Sequence, residues 1–113
     1  MKLSFFSSLV LVVLSGCSVG IEELANEGDW FEVGYRDGVK GQHTRSFSEL
    51  QSLGQANQAE YDNGYLKGVK EYCNPDFAYQ IGLSGQYYEG VCEGTVNAQK
   101  FRMEWQRGWN ESN

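Results

Sequence analysis

Proline, histidine and basic residues are all scarce in this chain. Its 113 residues hold one Pro, one His and three Cys, with nine Lys or Arg against fifteen Asp or Glu, a formal charge of −6. A zinc site needs about four ligands, and His43 is the sole histidine to join whatever cysteines are left free, so no metal is expected. Nucleic-acid binders carry clustered Lys and Arg that replace phosphate counterions; that cluster is missing, so neither nucleic acid nor an anionic headgroup surface is an expected partner. The cysteines never fall in the C-x-x-C spacing of thiol oxidoreductases, which argues against a redox catalyst. Long apolar runs are missing too. The longest, Leu3 to Leu14, has twelve residues. At about 1.5 Å each it covers roughly 18 Å, short of the roughly 30 Å hydrocarbon core, which disfavours a permanent spanning helix.

What that run does supply is an address. Lys2, the apolar stretch and the small residues after it form a secretory signal pattern. Its ending, Leu14-Ser15-Gly16-Cys17, resembles the bacterial lipobox. The resemblance implies that the Cys17 thiol takes a diacylglycerol, that residues 1–16 are cleaved, and that the new amine is acylated. Each buried methylene adds about 0.8 kcal/mol, so three acyl chains hold where one would be reversible. In Gram-negative lipoproteins an Asp after the Cys favours the inner membrane. Here Ser18 follows, implying an outer-membrane anchor facing the periplasm. The mature chain has 97 residues and, with Lys2 gone, a charge of −7, enough for one small domain. The acidic balance favours solubility and leaves a basic partner as the alternative.

With Cys17 assigned to lipid, Cys73 and Cys92 remain in an oxidising compartment, 19 positions apart. A disulfide is the natural reading. A loop of that size stabilises a small domain by roughly 3 kcal/mol.

Along the mature chain, residues 17–28 read as a lipidated tether, with Gly20, Asn26 and Gly28 among acidic residues. The single domain is expected over 29–113. Asp29-Trp30-Phe31-Glu32 is a D-x-x-E start, and Phe31, Gly34, Tyr35, Gly38 and Val39 follow at helical spacing. The stripe returns in Tyr61, Gly64, Tyr65, Gly68, Val69 and Tyr72. Between them, Ser48 to Leu53 makes a short helical turn ended by Gly54. Asn74-Pro75-Asp76 starts a helix running to about Ser84, with Asn as cap and Pro at the first position. Gly85 to Gly94 reads as a loop, and Thr95 as the cap of a last helix carrying Val96, Phe101, Trp105, Gly108 and Trp109. The fold class is therefore all-α: a small bundle of about four short helices rich in glycine and aromatics, with one disulfide, after the cleaved signal peptide.

One repeat runs through these segments, Gly34-Tyr35-x-x-Gly38-Val39-Lys40 against Gly64-Tyr65-x-x-Gly68-Val69-Lys70. An aromatic residue stands three before the first glycine of each copy, and Tyr79-x-x-Gly82 and Trp105-x-x-Gly108 reuse that unit. Glycine inside a helix costs about 1 kcal/mol relative to Ala, so the placement calls for a compensating gain. Close approach of a neighbouring helix or an aromatic ring is the simplest one.

Taken together, Asp29-Trp30-Phe31-Glu32-Val33-Gly34, Gly64-Tyr65, Gly68, Cys73, Asp76-Phe77, Tyr79, Gly82-Leu83-Ser84-Gly85, Cys92 and Trp105-Gln106-x-Gly108 carry a family likeness. The mature chain resembles, over nearly all its length, a family of short enterobacterial and Vibrio lipoproteins typified by YfiL. The resemblance implies an uncharacterised envelope lipoprotein with a domain of unknown function. It brings no catalytic residue and no ligand with it.

No enzyme signature accompanies that likeness. His43 lies in the polar stretch Gly41-Gln42-His43-Thr44-Arg45 and reads as a loop residue rather than a base. Gly82-Leu83-Ser84-Gly85 lacks the pattern and preceding strand of a nucleophile elbow. No cofactor is implied. Tyr87-Tyr88 lies inside the segment that Cys73 and Cys92 would close and is the candidate interaction surface, because paired tyrosines offer contact area at low entropic cost. Packing of either ring back onto the helices is the competing reading. The function expected is a non-enzymatic interaction module that binds another envelope protein. The alternative is an inhibitor or modulator of a basic periplasmic hydrolase such as a lysozyme. A sheet-rich body would favour the inhibitor and a helical one the interaction module.

Overall fold

Four helices of the body begin where a short polar side chain takes over an amide that the helix itself cannot satisfy. A computed structural model describes residues 19–112 and contains six helices: α1 (Ile21–Asn26), α2 (Trp30–Val39), α3 (Phe47–Leu53), α4 (Gln58–Tyr72), α5 (Pro75–Leu83) and α6 (Ala98–Ser112). Among the described residues there is no strand. The expected signal peptide and Cys17 lie outside them. Asp29 accepts the Glu32 amide at 3.2 Å, Asn57 that of Glu60 at 3.2 Å, and Asn74 that of Asp76 at 3.0 Å, with Pro75 opening α5 as expected.

Four expectations are corrected. The helices number six among the described residues rather than about four, because two short segments of polar composition fold as well. Ile21–Asn26, read as part of the tether, is helical, and its Leu24 and Ala25 are buried against α2 and α3. Two apolar side chains one residue apart are enough to dock a single turn, and composition averaged over the segment hides them. Helix α3 starts at Phe47 rather than Ser48, because Ser46 caps it: the Ser46 hydroxyl takes the Glu49 amide and the Glu49 carboxylate returns to the Ser46 amide. Thr95 does not cap α6. Its hydroxyl donates to the Cys92 carbonyl at 2.7 Å, so the chain turns there and the helix starts only at Ala98.

The repeated glycines explain how the helices meet. An added Cβ on Gly34 would fall on the Tyr61 carbonyl oxygen and 2.8 Å from the Tyr65 amide nitrogen; on Gly64 it would fall on the Phe31 carbonyl. One turn on, Gly38 meets the Tyr65 carbonyl and Gly68 meets that of Tyr35. Contacts advance along both helices in the same sense, so α2 and α4 run parallel with their backbones touching. Small residues permit that approach and larger ones forbid it. Helices α5 and α6 repeat the contact, with Gly82 on the Trp105 carbonyl and Gly108 on that of Tyr79. In every case a glycine lies against the carbonyl of the aromatic residue that stands three before the facing glycine. The aromatic-x-x-Gly unit is thus a reciprocal helix-pairing device.

The outer edges of the two pairs match as well. The Tyr35 hydroxyl donates to the Glu71 carboxylate while Lys67 lies 5.6 Å over the Tyr35 ring. In the second pair the Tyr79 hydroxyl donates to Glu111 and Arg107 lies 4.1 Å over the Tyr79 ring. The pairs enclose two cores. Leu24, Trp30, Val33, Leu50 and Tyr61 form one, while Val69, Tyr72, Ala78, Tyr88, Phe101 and Trp105 form the other with the cystine. Helix α4 belongs to both, and Tyr65 packs against each.

Candidate functional site

Cys73 ends α4 and Cys92 lies in the loop before α6; their sulfurs are bonded, with Cα atoms 5.5 Å apart. The bond is buried, Cys92 fully so. It pins the 85–94 loop beneath α4 and decides the fate of the two tyrosines in between.

Tyr88 and Tyr87 part company. Tyr88 is 8% exposed, its ring packed on Phe101 and Trp105 at centroid distances of 5.1 and 5.9 Å. Its hydroxyl donates to Glu93 at 2.7 Å and accepts the Cys92 amide at 3.0 Å. Burial, followed by the Glu93 hydrogen bond, pushes its pKa up to about 12. Tyr88 is therefore a core residue, and the expectation that it offers contact surface is corrected. Tyr87 is 62% exposed, standing edge-on to Trp105 and Trp109.

His43 meets a carboxylate only at the surface. His43 is exposed on the loop after α2, with Glu89 at 3.7 Å. Among the described residues no group of His, Cys, Asp and Glu is placed to hold a metal ion. The polar network of most consequence is one the sequence did not disclose. Asp37 is buried on α2, where the Arg45 guanidinium grips both its oxygens, at 2.8 and 3.3 Å, and the Tyr61 hydroxyl donates to it at 2.7 Å. Tyr61 in turn accepts the Arg45 amide at 3.0 Å. Burial raises the Tyr61 hydroxyl well above its ordinary range. The network locks the loop between α2 and α3 onto the helix pair. Its only sequence signal is an acid on the apolar side of α2.

A surface feature also escaped the sequence reading. A groove of about 540 Å³ runs between α4 and the chain before α6, walled by Leu66, Val69, Pro75 and Val96 with Lys70 at its rim. Val96, expected inside a helix, precedes it and is 100% exposed. A second groove, of about 560 Å³, shares Lys70 and Asn74 with the first and extends to Lys67 and Phe77. Leu66 and Phe77 are 65% and 56% exposed, so the two adjoining grooves, taken together as one furrow, present apolar side chains to solvent beside Lys67 and Lys70.

The helical body, its paired glycines and its cystine coincide with a known grouping of sequences. The chain belongs to the DUF2799 family, proteins of unknown function, whose profile matches residues 29–110. It is similar to the uncharacterized protein YfiL of Escherichia coli (strain K12), with 31% identity over 115 residues that cover 99% of this chain and 94% of that one. No solved structure matches it.

Proposed function

We propose that this chain is an envelope lipoprotein, anchored through acylated Cys17 in the outer membrane and facing the periplasm, that works as a non-enzymatic protein-interaction module. The observation that carries the reading is the buried Cys73–Cys92 disulfide, since such bonds form and persist in oxidising compartments. The Leu14-Ser15-Gly16-Cys17 ending supports the anchor and Ser18 the outer-membrane destination. The exposed apolar furrow supports an interaction role, because a rimmed apolar patch on a small body marks a contact surface. The inhibitor reading was tied to a sheet-rich body and finds no strand among the described residues.

The test is acylation in cells. The wild-type chain and Cys73→Ser are expected to incorporate labelled palmitate and to fractionate with outer membrane, whereas Cys17→Ala accumulates as unlabelled precursor. Palmitate uptake by the Cys17→Ala chain would refute the anchor.

A further inference from the structure

Three features compete for a role beyond the anchor: the His43–Glu89 pair, the aromatic edge at Tyr87 and the furrow along α4. The first is a solvent-exposed contact at 3.7 Å, and the second is one exposed ring standing edge-on to Trp105 and Trp109. The furrow has volume, apolar walls and a charge that departs from the rest of the molecule. We propose that it is the docking groove for an apolar peptide segment of another envelope protein, one that carries carboxylates to meet Lys67 and Lys70. The proposal rests on the interaction reading above and names its partner's chemistry.

Charge complementarity selects that partner. The chain as a whole is acidic, yet the charged side chains around the furrow are Lys67, Lys70 and Glu71, two cations against one carboxylate, and that carboxylate is turned to the Tyr35 hydroxyl. Neither lysine has a carboxylate within ion-pair distance among the described residues, whereas Arg36, Arg45, Arg102 and Arg107 all do. Lys67 lies over the Phe31 and Tyr35 rings at 5.9 and 5.6 Å, which holds its ammonium at the groove edge. Leu66, Val69, Lys70 and Cys73 fall on one stripe of α4, the spacing that accepts an amphipathic segment laid alongside it. The furrow is open along its length, so an acyl chain lying in it would stay wet on one side, while small-molecule sites bury most of their ligand. A peptide segment covers Leu66 and Val96 together.

The experiment uses the full lipidated chain in detergent micelles and fluorescence anisotropy of two short labelled peptides. Both carry Leu at helical spacing; one bears flanking Glu and the other Lys at the same positions. The Glu peptide is expected to bind about fivefold more tightly than the Lys peptide, and Lys67→Glu with Lys70→Glu to reverse that order. Val96→Glu, at a fully exposed site that leaves the fold intact, is expected to weaken the Glu peptide about tenfold or more. Equal binding of both peptides, or binding that survives Val96→Glu, would overturn the proposal. So would self-association, or flotation of the chain with anionic vesicles, that Val96→Glu abolishes, since another copy or a membrane would then be the occupant. A chain that takes up palmitate at Cys17 and binds neither peptide loses the groove and keeps the anchor.

Discussion

The Tyr61 hydroxyl and the Asp37 carboxylate meet at 2.7 Å in the interior, on two helices whose backbones already touch. Glycines bring α2 and α4 together, and this hydrogen bond with Arg45 behind it fixes which residues face one another. Removing the hydroxyl by Tyr61→Phe leaves Asp37 with Arg45 and is expected to cost about 1–2 kcal/mol. Arg45→Met strands a buried carboxylate and should cost more, about 2–3 kcal/mol after allowing for the 31% exposure of the arginine side chain. Urea titration of both variants checks the order. A Tyr61→Phe chain less stable than Arg45→Met would show that the hydroxyl, and not the guanidinium, holds Asp37.

At the glycines the sign of the effect is the test. Alanine in an open helical position stabilises by up to about 1 kcal/mol, whereas overpacking costs roughly 1–3 kcal/mol. An added Cβ at Gly68 would meet the Tyr35 carbonyl and lie 2.6 Å from the Val39 amide nitrogen, backbone atoms that cannot rotate away. Gly68→Ala and its counterpart Gly38→Ala are therefore expected to lower the melting temperature, by about 4–8 °C for each kcal/mol lost. Higher melting by circular dichroism in either variant would remove close packing as the reason for these glycines.

Reduction of the cystine should destabilise by roughly 3 kcal/mol, the loop entropy of a bridge whose ends stand 19 positions apart. Thermal melts with and without reductant, after brief unfolding to expose Cys92, read the difference. Free thiols titrating at Cys73 and Cys92 in the unreduced chain would show that the bridge does not form.

Alkaline pH acts through the buried tyrosines. Tyr72 and Tyr88 are both pushed up to about 12, chiefly by burial, against about 10 in the unfolded chain. A folded-state pKa above the unfolded value means that this stability is present in full below pH 10 and is lost as pH rises toward 12. Denaturation midpoints should hold steady from neutral pH to about 9 and then fall. Tyrosinate absorbance that completes near pH 10 with no loss of stability would contradict the burial.

Most of the helices were legible because their starts are chemical. Asp29, Asn74 and Pro75 announce α2 and α5 by side-chain type, and the glycine repeat announced a close approach without saying to what. The parallel pairing was not legible, since reciprocity between Gly64 and the Phe31 carbonyl is a property of two segments and no single window contains it. Helix α1 was missed because two apolar residues sit in an acidic, glycine-flanked stretch, and Val96 because a Thr before an apolar residue imitates a cap. The candidate tyrosines divided for a similar reason: neighbouring side chains of one loop take different surroundings, Tyr88 on Phe101 and Trp105 and Tyr87 largely in solvent. The furrow arises from three segments, α4, Pro75 and Val96, that are adjacent only after folding.

Parallel pairing carries an electrostatic consequence for the acidic composition. Helices α2 and α4 begin at Trp30 and Gln58, so the positive poles of two macrodipoles stand side by side, an arrangement that antiparallel packing would have cancelled. Anions are favoured there, and the first turns carry Glu32 and Glu60 beside the Asp29 and Asn57 caps. Part of the negative charge that reads in the composition as a solubility surplus is thus a counterweight, placed where the parallel geometry collects positive potential.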